Sequence, residues 1–168
     1  AGASMLVNHD NKRFQHELFY AGDEFFEIFT FDFIEGSIDQ ALEKPYTLVL
    51  TRSMRDSYFP NEDALGKTLM LRDSLEFEVS GVIEDIPAQS HMQFEGLLSF
   101  ATYERLNPNF TYTGADGWGN FNVRNYLLLK EGVDYSAFSE KAAELYRNEV
   151  GEILEQMGVD FTVGFIPL

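Results

Sequence analysis

The residues best equipped for chemistry are few and scattered. Three histidines occur, His9, His16 and His91, and none sits at a metal-ligand spacing such as HExxH. Each is read as a satisfied or solvated side chain. Ser90 and His91 are neighbours, but a nucleophile–base pair is assembled from distant segments, so this adjacency carries no triad. Acidic pairs recur at Asp23/Glu24, Glu62/Asp63 and Glu84/Asp85. Glycoside chemistry needs two carboxylates facing each other across a cleft. With 28 Asp and Glu in the chain, adjacent acids arise by chance. The glycine-rich run from Gly114 to Gly119 links no strand to a helix start, so it makes a poor phosphate cradle. Asn109-Phe110-Thr111 matches the glycosylation acceptor, a pattern short enough to be fortuitous. GxSxG, Walker A, GxGxxG and the EF-hand series are all missing from the sequence. The expectation is no catalytic, cofactor-binding or metal residues and no enzyme.

The elements that would position any site are better patterned than the site itself. At 168 residues, 45% hydrophobic and 24% charged, the chain can build a core as one domain or two small lobes. Sixteen Phe and eight Tyr predict a core rich in ring contacts. The net charge of -16 leaves no basic footprint for nucleic acid and disfavours anionic lipid, so its plain meaning is solubility. Cysteine is absent, which removes thiol catalysis, thiolate metal sites and disulfides but fits periplasm and cytosol alike. No apolar run reaches the ~18 residues needed to cross a bilayer, and no signal peptide opens the chain. A membrane-bound parent would contribute this stretch as a soluble piece.

Residues 1–8 and Phe14 to Tyr20 read as strands around a polar turn. Asp23 is a plausible N-cap for a short helix to Phe29. The seven rings from Phe19 to Phe33 have spacings too varied for one exposed face, and core is expected. Ser37 to Leu42 is a helical turn. Tyr46 to Leu50 is a buried strand, and Thr51 caps a helix from Arg52 to Phe59. Thr68 to Arg72 and Glu76 to Ile83 form an antiparallel pair, with Gly81 marking a bulge or a close backbone approach. The long turn from Asp85 to His91 leads to a strand over Phe94 to Phe100, followed by a short helix to Leu106. Tyr112 to Asn120, with Trp118, is a surface loop. Asn122 to Lys130 and Asp160 to Ile166 are read as parallel strands around a helix begun by Asp134. That helix presents Tyr135, Phe138, Ala142, Leu145, Tyr146, Ile153 and Leu154 on one face.

Several of these stretches, in order, resemble the MacB-like periplasmic core domain of FtsX-like ABC-transporter permeases. They are Asp23 to Phe29 with Phe31-Asp32-Phe33; Gly36, Ala41-Leu42 and Pro45; Tyr46 to Thr51; and Tyr58-Phe59 through Leu65-Gly66-Lys67. Phe77 through Gly81 to Pro87 with Ser90-His91, and Asn125 to Gly132, complete the set. The likeness spans residues 20–168. It departs at Ala88-Gln89 and at Pro60-Asn61.

The resemblance implies an α+β fold with a porter-like βαβ lobe and an inserted, β-rich, sabre-like lobe. Residues 1–19 would end a first porter half truncated at its front, 20–93 would be the insert, and 94–168 the second porter unit. It further implies a place on the periplasmic side of the inner membrane and no catalytic residue. The partners it implies are a cytoplasmic ATP-binding subunit or domain, a second permease copy, and a periplasmic adaptor or lipoprotein. The expected work is mechanical, coupling ATP hydrolysis to export or other periplasmic work. Asp85, Pro87, Ser90 and His91 would form an inter-lobe turn. A ligand-binding or sensor module using the aromatic-rich lobe or the Trp118 loop is the alternative.

Overall fold

The computed structural model describes residues 2–110, 123–156, 158 and 164–166. The chain forms two compact units, residues 1–108 and 109–168.

The first unit is built on seven strands: β1 (Gly2–His9), β2 (Lys12–Ala21), β3 (Phe33–Gly36), β4 (Thr47–Thr51), β5 (Thr68–Leu71), β6 (Leu75–Ile83) and β7 (Gly96–Ser99). Helix α1 (Phe25–Ile28) precedes β3, α2 (Arg52–Tyr58) follows β4 without a break, and α3 (Phe100–Leu106) follows β7.

The strand pairings close on themselves. The order runs β6-β4-β7-β2-β1-β5, and β5 pairs back onto β6. The long β6 makes this possible by giving one edge to two partners. Its first half, from Leu75 to Glu78, pairs with β5, and its last residues, Gly81 to Ile83, pair with β3. A ring of six strands has an interior small enough for side chains to fill. Alternate residues supply the filling: Met5 and Val7, Leu18, Leu48 and Leu50, Leu69 and Leu71, Phe77 and Val79, and Leu98. Met54 and Tyr58 of α2, and Phe59 just past it, add to the same core.

Local sequence explains the joints. Asp10 adopts a left-handed φ of 51° in the two-residue β1–β2 turn, a conformation Asp tolerates better than most residues. Arg72 and Asp73 do the same, at 51° and 61°, in the β5–β6 turn. Opposite β4 the register of β6 slips by one residue between Val79 and Gly81, as a bulge requires. A Cβ at Gly81 would stand 2.8 Å from the Phe33 ring, so the glycine also admits a close approach.

Element by element, the reading up to Leu106 holds with boundaries moved by a few residues, except that the N-cap of α1 is Glu24, not Asp23, and makes no side-chain capping bond. Strand β3 is an addition, since no strand was expected over Phe33–Gly36. The strand expected from Phe94 begins at Gly96. The sheet runs across the expected lobe boundaries near residues 20 and 93. β2 spans the first, and β7, beyond the second, pairs with both β2 and β4.

In the second unit α4 (Tyr135–Gln156) is a long helix whose start is capped by Asp134, its carboxylate accepting from the amides of Ser136 and Ala137 at 2.8 and 3.1 Å. Its inward stripe includes Phe138, Ala142 and Tyr146, as the spacing predicts, and then Val150, which is buried. Tyr135 and Leu145, expected on that face, are exposed. The expected strand from Asn122 to Lys130 does not form over the described residues 123–130. A strand exists only where a neighbour takes up its N–H and C=O groups, and apolar content alone supplies none. Of the companion strand, residues 160–163 lie outside the described residues, and 164–166 are not in a strand. The Trp118 loop lies outside the described residues as well.

Candidate functional site

The turn singled out from the sequence is the middle of a longer strap, residues 84–95, that carries the chain from β6 to β7. Those two strands are not neighbours; β4 lies between them. The strap must therefore cross the end of β4, where β4 becomes α2, and its polar side chains are spent on that junction.

At the first end, Glu84 accepts from the Arg52 guanidinium in a two-pronged contact, with Nε at 2.8 Å and a second, shorter bond from Nη2. Hydrogen bonding to Arg52 holds the Glu84 carboxyl below the ordinary glutamate range. Asp85 accepts from the Ser53 amide at 2.8 Å and from the Ser53 hydroxyl at 2.7 Å. These groups sit in the first turn of α2, where backbone N–H groups lack helical partners and a carboxylate is favoured. Thr51 caps the same helix, its hydroxyl accepting from the Met54 amide at 3.4 Å.

The middle of the strap is held by its own backbone. The Pro87 carbonyl accepts from the Ser90 amide and from Gln93 Nε2, each at 2.9 Å. The Ser90 hydroxyl accepts from the Met92 amide at 3.3 Å, and its carbonyl takes Gln93 Nε2 at 3.1 Å. Met92 and Phe94 are buried beneath, while His91 is exposed with its ring 6.1 Å from that of Phe29.

At the far end stands Glu95. Its carbonyl accepts from both the amide and the hydroxyl of Thr51, each at 2.9 Å. Its carboxylate accepts from the Glu17 amide at 2.9 Å and lies 2.9 Å from Nδ1 of His16. His16 is 5% exposed, and its Nε2 is 3.0 Å from the Tyr58 hydroxyl, which donates to the Val7 carbonyl at 3.0 Å. Burial, and after it the Glu95 carboxylate, push the Tyr58 phenol up to about 12.

Beside the strap lies the ring-rich segment from Phe19 to Phe33. Phe25 meets Phe26, Phe29, Phe31 and Phe94 at centroid distances of 5.0–6.3 Å, and Phe26 also meets Phe33 at 4.9 Å. Phe26 and Phe94 are buried and the other rings half-buried, so the segment is core under the strap.

Asp85, Pro87 and Ser90 thus serve backbone geometry and helix capping. The structure gathers neither them nor His91 into a reacting cluster. Glu95 carries no signal in the sequence, and His16 and Tyr58, read there as a satisfied or solvated histidine and part of a motif, are joined by nothing local. One signal pointed to His16: it shares the two-residue period of Leu18 on β2 and therefore faces the same interior. Its partners are 79 and 42 residues away in sequence, and no local pattern announces them. Among the described residues no group of three or more His, Asp or Glu could hold a metal, and no helix is long and apolar enough to cross a membrane.

Comparison with known proteins supplies the context. No curated protein matches the sequence. Among solved structures, a domain of a Porphyromonas gingivalis protein described as a permease superposes with a TM-score of 0.64 at 24% identity, covering 88% of this chain and 65% of that one. The chain thus spans about two-thirds of that domain's length. The periplasmic region of MacB from Actinobacillus actinomycetemcomitans gives 0.60 at 16% identity, covering 95% of this chain and 74% of the other. The extracellular domain of the noncanonic ABC-type transporter YknZ from Gram-positive bacteria gives 0.61 at 15%, with 90% and 73% covered. At these identities the likeness is one of fold. The sequence profile of the MacB-like periplasmic core domain matches residues 1–145. The chain belongs to the MacB-like periplasmic core domain family.

Proposed function

We propose that this domain transmits motion. ATP hydrolysis on a cytoplasmic ATP-binding subunit or domain moves the membrane helices of the permease, and the domain converts that movement into export or other work on the periplasmic side of the inner membrane. The observation that carries the reading is the family match over residues 1–145. The strap fits it, because its polar groups are engaged in joining elements to one another. In this reading Asp85, Pro87, Ser90 and His91 belong to a joint. A second copy of the permease and a periplasmic adaptor or lipoprotein are the expected partners. In this reading residues 20–93 take the sabre-like role, 1–19 the end of the first porter half and 94–168 the second porter unit.

The test uses the full-length permease, reconstituted in lipid with its ATP-binding partner. These 168 residues contain no cysteine, so spin labels can be placed at exposed Ser57→Cys and Glu140→Cys, one in each compact unit. The label-to-label distance distribution is expected to change between the nucleotide-free state and a state trapped in hydrolysis. Identical distributions in the two states would overturn the proposal.

A further inference from the structure

Helix α2 is gripped at both ends by the same strap. At its start, Glu84 and Asp85 hold Arg52 and Ser53. At its end, Tyr58 is tied through His16 to Glu95, and Glu95 closes the strap. The bonds form a circuit: strap, first turn of α2, last turn of α2, Tyr58, His16, Glu95, and back to the strap. β2 enters the circuit through His16 and through the Glu17 amide on Glu95. A further tie from β2, Lys12 Nζ to the Tyr58 carbonyl at 2.7 Å, seats the helix end on the ring.

The two grips differ in setting. The Arg52–Glu84 and Ser53–Asp85 contacts are exposed, and contacts of that kind contribute little by themselves. The Tyr58–His16 contact is buried, and the chain it begins ends on a half-exposed Glu95 carboxylate. Leaving a buried polar group without its partner carries the full cost of its desolvation, so such networks tend to stay whole or open together. We propose that α2 and the strap form one latch in which the Glu95–His16–Tyr58 chain is the coupling element, so that loosening either end of α2 loosens the other. His16 is the positioning residue that seats the latch on β2. The inference rests on the reading of the strap as a mechanical joint and says how it holds: strap and helix open as a unit.

The experiment is native-state amide exchange on the 168-residue chain, which does not depend on transport. Tyr58→Phe removes the hydroxyl and keeps the ring packed against Phe14. If the latch is one unit, exchange at the Ser53 amide, at the opposite end of the helix, rises about fivefold, the factor that one ordinary hydrogen bond corresponds to. Reciprocally, Asp85→Asn raises exchange at the Glu17 amide. The Leu50 amide, in the ring, stays unchanged in both and reports that the fold is intact. Effects confined to each variant's own end would overturn the latch. Should Tyr58→Phe disturb the Leu50 amide, Glu95→Gln and the surface variant Asp85→Asn read the same coupling from the other side. Unchanged spin-label distances in the full permease would sink the proposed function and leave the latch standing; purely local exchange effects would do the reverse.

Discussion

The two compact units use similar amino acids to different ends. In residues 1–108 nearly every apolar strand residue has a neighbour, because six strands close into a ring whose interior takes Phe77, Leu18 and Leu48 with no exposure at all. In residues 109–168 the run Tyr126-Leu127-Leu128-Leu129 is as apolar as any strand of the ring, yet Leu127 is 60% and Leu128 72% exposed. Hydrophobic content is the same kind of signal in both places. What differs is whether the described chain offers a second surface to bury it against, and burial is a property of pairs.

That contrast can be broken most directly by truncation. Phe77→Ala empties the centre of the ring and should cost about 3–5 kcal/mol in urea denaturation followed by circular dichroism. Leu128→Ala should stay within about 0.5 kcal/mol, as surface changes do. A large cost at Leu128 would mean that the second unit hides more of its apolar surface than its described residues display.

A finer probe is overpacking. A Cβ on Gly96 would meet Leu18 Cδ2 and the Val49 carbonyl at 3.0 Å and Leu48 Cδ1 at 3.2 Å, at the point where β7 fits between β2 and β4. Gly96→Ala should destabilise by about 1–3 kcal/mol. At Gly132 nothing lies within 4 Å of an added Cβ, so only its φ of +80° opposes a side chain there. A ring that accepts Gly96→Ala at no cost would be looser than its packing indicates.

The smallest effect is one of pH. The Tyr58 phenol is raised from 10.0 to about 12, so the folded state keeps a proton that the unfolded chain gives up. The associated stability is present in full below pH 10 and is lost as the pH climbs toward 12. Tyr58→Phe should flatten the alkaline limb of stability against pH, measured by urea denaturation at stepped pH. Tyr146, in the second unit, is raised by burial alone, and Tyr146→Phe should change that limb less. Equal flattening by both variants would erase the distinction between the units.

Much of the first unit, and the long helix of the second, was legible from residues alone. The two-residue period of Phe77, Val79 and Gly81, the Thr51 cap and the spacing of Phe138, Ala142 and Tyr146 are local facts, and each became the expected element. The order of motifs from Asp23 to Gly132 pointed to the family that the sequence profile supports. The strap was legible as a turn, and Glu84/Asp85 as an acid pair, though one that looked accidental.

By itself, then, the sequence determined most elements of the first unit, the helix of the second, the family and the α+β character of the chain, because periodicity, capping and turn chemistry act within a few residues. Only the tertiary structure decided that the strands close into a ring, that β3 is one of them, that residues 123–130 form no strand, and that His16, Tyr58 and Glu95 meet. Those outcomes depend on which surfaces are brought together across tens of residues. Loop closure over such separations costs nearly the same for many alternatives, so nothing local distinguishes the native pairing from the rest.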